Sequence, residues 1–280
     1  MLRLSQMTYI EKMLERFNMQ GSKKGSLPIA HGIKLSKEMS PKTPSEELRM
    51  KGIPFASAIV SIIYAMLCTR PDVAYALSMT SRFQSCPGEG HWTAVKNILK
   101  YLRRTKDLHL TYGGDEELVV RAYTDASFQT DRDDQKSQSG YVFCLNSGAI
   151  SWKSSKQDTI ANSTAESEYI AAAEAAKEAV WIKSFLMELG VVPSSSEPVK
   201  LYCDNNAAIA QTKEPRSHNK SKHVLRKYHL LREIVLRGDV AVSRVATDDN
   251  VADPLTKGLP QQKHEKHVRG LGLVVCNSWH

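Results

Sequence analysis

The chain predicts an α/β domain preceded by a mostly helical segment, and three features of its 280 residues carry that reading. The texture changes at Gly113-Gly114: apolar residues recur at helical spacing before it and alternate after it. Asn146-Ser147-Gly148 separates two short apolar runs, the composition of a hairpin turn. Beyond the hairpin, helical and extended patterns follow one another as helix, strand, helix, helix, strand, helix.

The elements are expected in this order. Residues 1–20 carry Tyr9, Ile10, Met13, Leu14 and Phe17 on one side of a helix. Residues 21–53 hold Lys, Ser and Pro without periodicity and read as a connector. Helical patterning resumes over 54–108. Thr69-Arg70-Pro71-Asp72 opens one helix with Pro in its first turn, and Cys86-Pro87-Gly88 breaks it. A helix near 91–103 sets Trp92, Val95, Ile98, Leu99 and Leu102 against Lys96, Lys100, Arg103 and Arg104. Trp92 and Trp181 read as helix-packing residues. A boundary falls near residue 116. Residues 118–128 alternate as a strand, and 141–145 with 149–152 form the hairpin. A long helix over 165–189 stops at Gly190 and Pro193, and 199–203 is a short buried strand. Helices follow from about 206 and over 218–237, then a strand over 240–245, and a last helix begins near Pro254.

Bulk properties narrow the function classes. A hydrophobic fraction of 41% marks a globular chain, and a net charge of +8 leans toward a polyanionic partner. Five cysteines without a C-x-x-C pair point to reduced thiols in an intracellular protein, cytoplasmic or nuclear. His218, His223 and His229 share no zinc spacing with cysteines or carboxylates. The longest apolar stretch, 59–67, is too short to cross a bilayer, and the first residues lack a signal peptide's apolar run. Neither a membrane nor a small-molecule cofactor is expected.

Four carboxylates stand where a strand ends or a helix begins: Asp125, Glu168, Asp204 and Asp253. Gathered together they would repel, and either protons or a hard cation such as Mg²⁺ or Mn²⁺ would have to neutralise them. Glu168 heads the stripe Ala172, Ala175, Ala179, Ile182, Leu186, Leu189, so it faces the sheet. Glu166 makes Ser-x-x-Glu with Ser163, a capping box, and is the weaker ligand candidate. Singly, Asp125 reads as a turn acid and Asp253 as an N-cap before Pro254, while Asp204 reads equally as a helix cap or a ligand.

From Tyr123 onward the chain resembles the ribonuclease H domain of copia-type retrotransposon polyproteins. The residues that carry this are Tyr123-Thr124-Asp125-Ala126, Ser139-Gly140-Tyr141-Val142-Phe143 and Gly148-Ala149-Ile150-Ser151-Trp152-Lys153. Ala165-Glu166-Ser167-Glu168-Tyr169, Cys203-Asp204-Asn205, Ser221-Lys222-His223 and Ala252-Asp253-Pro254-Leu255-Thr256-Lys257 continue it. The resemblance implies a mixed five-stranded sheet flanked by helices. It makes Asp125, Glu168, Asp204 and Asp253 the catalytic ligands of two Mg²⁺ ions, or Mn²⁺, that cleave the RNA strand of an RNA–DNA hybrid. Many ribonucleases H carry a His before the last helix; the loop 247–252 has none.

The first 110 residues resemble the segment after the polymerase palm in the same polyproteins, through Leu4-Ser5-Gln6, Pro54-Phe55-Ala56-Ser57-Ala58 and Thr69-Arg70-Pro71-Asp72-Val73-Ala74-Tyr75-Ala76. That implies a thumb- or connection-like part over 1–116, a ribonuclease H-like domain over 117–273 and an unassigned tail over 274–280. No Tyr-x-Asp-Asp turn is present, so polymerase activity is not expected of this truncated copy. Lys213, Arg216, Lys220, Lys222, Arg226 and Lys227 face a single acid, Glu214, and read as a cradle for the hybrid's phosphates. The alternative is a catalytically silent nucleic-acid-binding relic.

Overall fold

The computed structural model describes residues 1–114, 118–190, 192–213 and 222–275, of which 222–228 are described in backbone only. The chain opens with strand β1 (Leu2–Leu4) and helix α1 (Met7–Arg16). Residues 1–4 therefore do not extend the first helix as expected; they pair with a strand more than a hundred residues away. Helix α2 (Pro44–Lys51) lies inside the stretch read as a connector. The Thr43 hydroxyl accepts from the Glu46 N–H at 3.3 Å, and the Glu46 carboxylate accepts from the Thr43 N–H at 3.2 Å, closing a capping box. Helices α3 (Phe55–Cys68), α4 (Ala74–Ser81) and α5 (Glu89–Arg104) complete the helical part around Ile59, Ile62, Val95, Ile98 and Leu102.

Strand β2 (Leu108–Tyr112) leads to the main sheet, built from β3 (Arg121–Ser127), β4 (Gln138–Leu145) and β5 (Gly148–Lys156). Helix α6 (Thr164–Leu189), β6 (Val199–Cys203), α7 (Asn206–Lys213), α8 (Lys222–Leu236) and β7 (Val240–Arg244) follow. Helix α9 (Gln261–Gly270) and β8 (Leu273–Val275) end the described chain. The sheet order is β5-β4-β3-β6-β7, antiparallel through the hairpin side and parallel where β6 and β7 join. This is a mixed five-stranded sheet flanked by helices, the architecture that the resemblance implies.

Helix α6 crosses the sheet on an alanine-rich face: Ala172, Ala175, Ala176 and Ala179 are buried, and Ile182 and Leu186 extend the contact. Small side chains let helix and strands approach closely. The predicted stripe ends one step early, because Leu189 is exposed. Trp181, expected to pack inward, is 61% exposed and stacks on Phe185 at 5.4 Å instead. Trp92 does pack, tilted against Phe55. The last helix begins after Pro260, not near Pro254; residues 253–255 form only a short 3-10 turn. The expected boundary at 116 lies outside the described residues.

A second sheet, β1-β2-β8, joins the start of the chain to Leu273–Val275, so Val274 and Val275 belong to a strand and not to an unassigned tail. A buried polar knot also links the helical part to α9. Arg70, 1% exposed, grips Asp72 with two hydrogen bonds, Nε to Oδ1 at 2.9 Å and Nη2 to Oδ2 at 2.6 Å. The Tyr101 hydroxyl donates to Asp72 Oδ2 at 2.7 Å, and His264 Nε2 lies 3.2 Å from that hydroxyl. Burial alone would raise the Asp72 carboxyl, but the charge and hydrogen bonds of Arg70 outweigh it and hold it below the usual range. Among the described residues no single helix is long and apolar enough to cross a membrane.

Candidate active site

Asp125 sits in β3 opposite Gly140 of β4. A Cβ on Gly140 would come within 2.8 Å of Leu255 Cβ and Thr256 Cγ2, so the missing side chain lets the 253–256 turn rest on the sheet beside Asp125. Tyr123 of β3 pairs with Tyr202 of parallel β6, and the two rings stack at 5.1 Å. Two residues further on, Asp125 and Asp204 leave neighbouring strands side by side. Glu168, in the second turn of α6, accepts from the Ala126 N–H while its Oε2 is buried without a hydrogen-bond partner. Glu168, Cys203 and Asp204 offer ligand atoms within 4.8 Å of one another.

Asp253 reaches the same place from beyond β7. The Asn250 side chain donates to the Thr124 carbonyl of β3 at 2.9 Å and accepts from the Ala252 N–H at 3.2 Å, tying the loop to the central strand. Asp253 is wholly buried and does not cap a helix with its side chain. Neither carboxylate oxygen makes a well-directed hydrogen bond. Each nevertheless faces an ammonium, Lys257 Nζ at 2.5 Å from Oδ1 and Lys263 Nζ at 2.8 Å from Oδ2. An ammonium attracts a carboxylate at these distances without needing fine alignment. Lys257 Nζ also lies 3.8 Å from Asp125 Oδ2, which the Thr256 hydroxyl contacts as a donor.

The electrostatics follow from this crowding. Burial, then the charges of Asp125 and Asp204, push the Glu168 carboxyl up to about 10. Burial and the neighbouring acids raise Asp125 to about 6 against the opposing pull of Lys257. Burial first, then the charge of Glu168, lifts the Cys203 thiol to about 12, so it is a protonated, soft neighbour to three hard carboxylates. Burial lowers His267 to about 4, which leaves it neutral, 3.9 Å from Asp253. Glu168 and Asp204, with oxygens within 4.8 Å of each other, one of the Glu168 oxygens orphaned and Asp125 near enough to act on both by charge, fit a hard divalent cation.

A pH dependence results. The Glu168 carboxyl binds its proton more tightly when folded, about 10 against 4.5 unfolded, so its contribution is fully present below pH 4.5. The metal-free protein therefore loses stability as pH climbs through that window. Glu168→Gln is expected to flatten the slope and to raise the melting temperature in EDTA at pH 8. An unchanged slope in thermal melts from pH 5 to 9 counts against the buried proton.

All four predicted acids are gathered by the fold, and Glu166 does cap: its N–H donates to Ser163 Oγ at 3.2 Å, and its carboxylate accepts from the Asn162 N–H at 2.8 Å. Asn250 and Lys263 were not anticipated, and Thr256 and Lys257 stood unread inside a motif. The i, i+4 spacing of Asp253 and Lys257 was the one visible signal. Lys213 is exposed at the end of α7. Arg216 and Lys220 lie outside the described residues, as do the side chains of Lys222, Arg226 and Lys227.

No protein-family model matches the chain. It is 46% identical over 262 residues to the retrovirus-related Pol polyprotein from transposon TNT 1-94 of Nicotiana tabacum, covering 94% of this chain and 19% of that polyprotein. It is 35% identical over 273 residues to the retrovirus-related Pol polyprotein from transposon RE2 of Arabidopsis thaliana, covering 98% and 18%. The chain thus spans about a fifth of the length of these two polyproteins. The solved structure of LC11-RNase H1 in complex with RNA/DNA hybrid aligns with 16% identity and a TM-score of 0.36, over 49% of this chain and 93% of that one. With near-complete coverage at up to 46% identity, the chain belongs to the retrovirus-related Pol polyproteins of copia-type transposons.

Proposed function

We propose that the ribonuclease H-like domain hydrolyses the RNA strand of an RNA–DNA hybrid in a reaction that depends on Mg²⁺ or Mn²⁺. The observation that carries this is the Asp125, Glu168, Asp204 cluster with its unpartnered Glu168 oxygen. A bound divalent ion supplies Lewis acidity toward a phosphodiester and an activated water. The chain's own residues hold that charge in place: two neighbouring parallel strands fix the aspartates, and α6 fixes Glu168 against Ala126. Asp204 is half-buried and gives the cluster its opening to solvent.

Selection of the RNA strand would come from its 2′-hydroxyls in the wide minor groove of the hybrid. The basic stretch holding Lys213, Arg216, Lys220, Lys222, Arg226 and Lys227 supplies counter-charge for its phosphates, so affinity should fall steeply with salt. The helical part, residues 1–114, we assign to the region that follows the polymerase palm in the polyprotein.

The test is a labelled hybrid incubated with purified protein. RNA-strand cutting that needs Mg²⁺, spares duplex DNA and disappears in Asp204→Asn is the expected result. Salt-sensitive binding without cutting, or cutting that survives Asp204→Asn, would reduce the chain to a nucleic-acid binder or place its chemistry elsewhere.

A further inference from the structure

The fourth acid is already neutralised from within the chain. Asp253 is wholly buried, and its two oxygens face Lys257 at 2.5 Å and Lys263 at 2.8 Å. Lys257 stands between Asp253 and Asp125, 3.8 Å from Asp125 Oδ2. On the other side of Asp125 the situation is reversed. Glu168 is 6% exposed and its Oε2 has no hydrogen-bond partner, while Glu168 and Asp204 offer oxygens within 4.8 Å of each other. Among the described residues the ammonium groups stand on the Asp253 side of the cluster, within 4 Å of Asp253 and Asp125.

The resemblance implies two metal ions, but the charges argue against that count. Among the described residues four carboxylates meet two ammonium groups, so one divalent ion brings that set to neutrality. A second would leave an excess of two positive charges in a buried place and would sit against Lys257. Lys257 is held there by geometry: it is one helical turn beyond Asp253, across the 253–255 turn. Its neighbour Thr256 is held between two acceptors, its hydroxyl oxygen in hydrogen-bond contact with Asp125 Oδ2 and 3.0 Å from the Asp253 carbonyl.

We propose that this chain holds a single divalent ion, on Asp125, Glu168 and Asp204, and that the Lys257 ammonium occupies the second cation position between Asp125 and Asp253. The inference rests on the metal-dependent reading above and changes its stoichiometry. Lys257 acts as a positioning residue: it fixes Asp125 and Asp253 with a charge that cannot dissociate, so exchange with bulk metal is confined to one site.

The experiment counts ions. Free Mn²⁺ is measured by electron paramagnetic resonance while the protein is titrated, alone and with a DNA strand paired to 2′-O-methylated RNA so that the strand is not consumed. The wild type is expected to bind one Mn²⁺ per chain in both conditions. Lys257→Met, which keeps the stem and removes the charge, is expected to bind twice as many, and Lys257→Arg to return to one. Lys257→Gln serves if the methionine variant does not fold. Any wild-type count other than one overturns the proposal, as does a count that Met or Gln leaves at one. Cleavage of an unmodified hybrid, run in parallel, separates the two readings. One bound ion without cleavage removes the nuclease and keeps the lysine assignment; two bound ions with cleavage do the reverse.

Discussion

Asp125→Asn is expected to lower single-turnover cleavage of an RNA–DNA hybrid by at least about a thousandfold, roughly 4 kcal/mol of barrier, while leaving the protein folded. The shape of the side chain is kept and the amide oxygen still accepts from Thr256. What is lost is the negative charge on the central strand, next to both Glu168 and Lys257. Because a neutral amide does not repel Glu168 or Asp204, the variant should melt in EDTA no lower than the wild type. A rate within tenfold of wild type, or a collapse of the fold in EDTA, would show that Asp125 is not the centre of the cluster.

The largest expected change in stability lies in the buried knot around Arg70. Arg70→Met is predicted to cost about 3–5 kcal/mol, because it leaves Asp72 buried with only the Tyr101 hydroxyl for company. The Thr105 carbonyl and hydroxyl also lose their guanidinium donors, at 3.1 and 2.6 Å. Replacing both members, Arg70→Met with Asp72→Leu, should recover most of the loss, since no charge is then stranded. The sign with pH can be worked out from Asp72, whose folded carboxyl is held below its ordinary 3.8. Its contribution is present above that value and fades as pH falls through the lower folded one. Urea midpoints of the three proteins at pH 7 and pH 4 test both statements. Equal midpoints for Arg70→Met and wild type would mean that the knot contributes nothing.

How much of this was legible in the sequence depends on the range of the interaction involved. Residues 199–203 and the long helix were readable because their apolar spacing is local. The hairpin was readable only in its middle. Its strands run on to Gln138 and Lys156, where Gln138, Ser139 and Gln157 are buried polar residues held by hydrogen bonds that no hydropathy pattern signals. Leu2–Leu4 is three residues long and exists as a strand only because Leu110–Tyr112 lies beside it. Pro254 looked like a first helical position, but the side chain that would have capped there is occupied by two lysines. Spacing did distinguish Glu168 from Glu166. It said nothing of Asn250, whose side chain ties its own loop to a strand 126 positions earlier in the chain.

The small sheet that joins both ends of the described chain also has a mechanical consequence. Leu2 pairs beside Tyr112 at one end of β2, and Val275 pairs beside Leu108 at the other. A pull applied outward at Leu2 and Val275 therefore runs along the strands in opposite directions and loads their hydrogen bonds together, in shear, rather than opening them one at a time. Tension carried along a longer polyprotein would meet this clamp first, and the helical and sheet cores behind it would bear load only after it slipped.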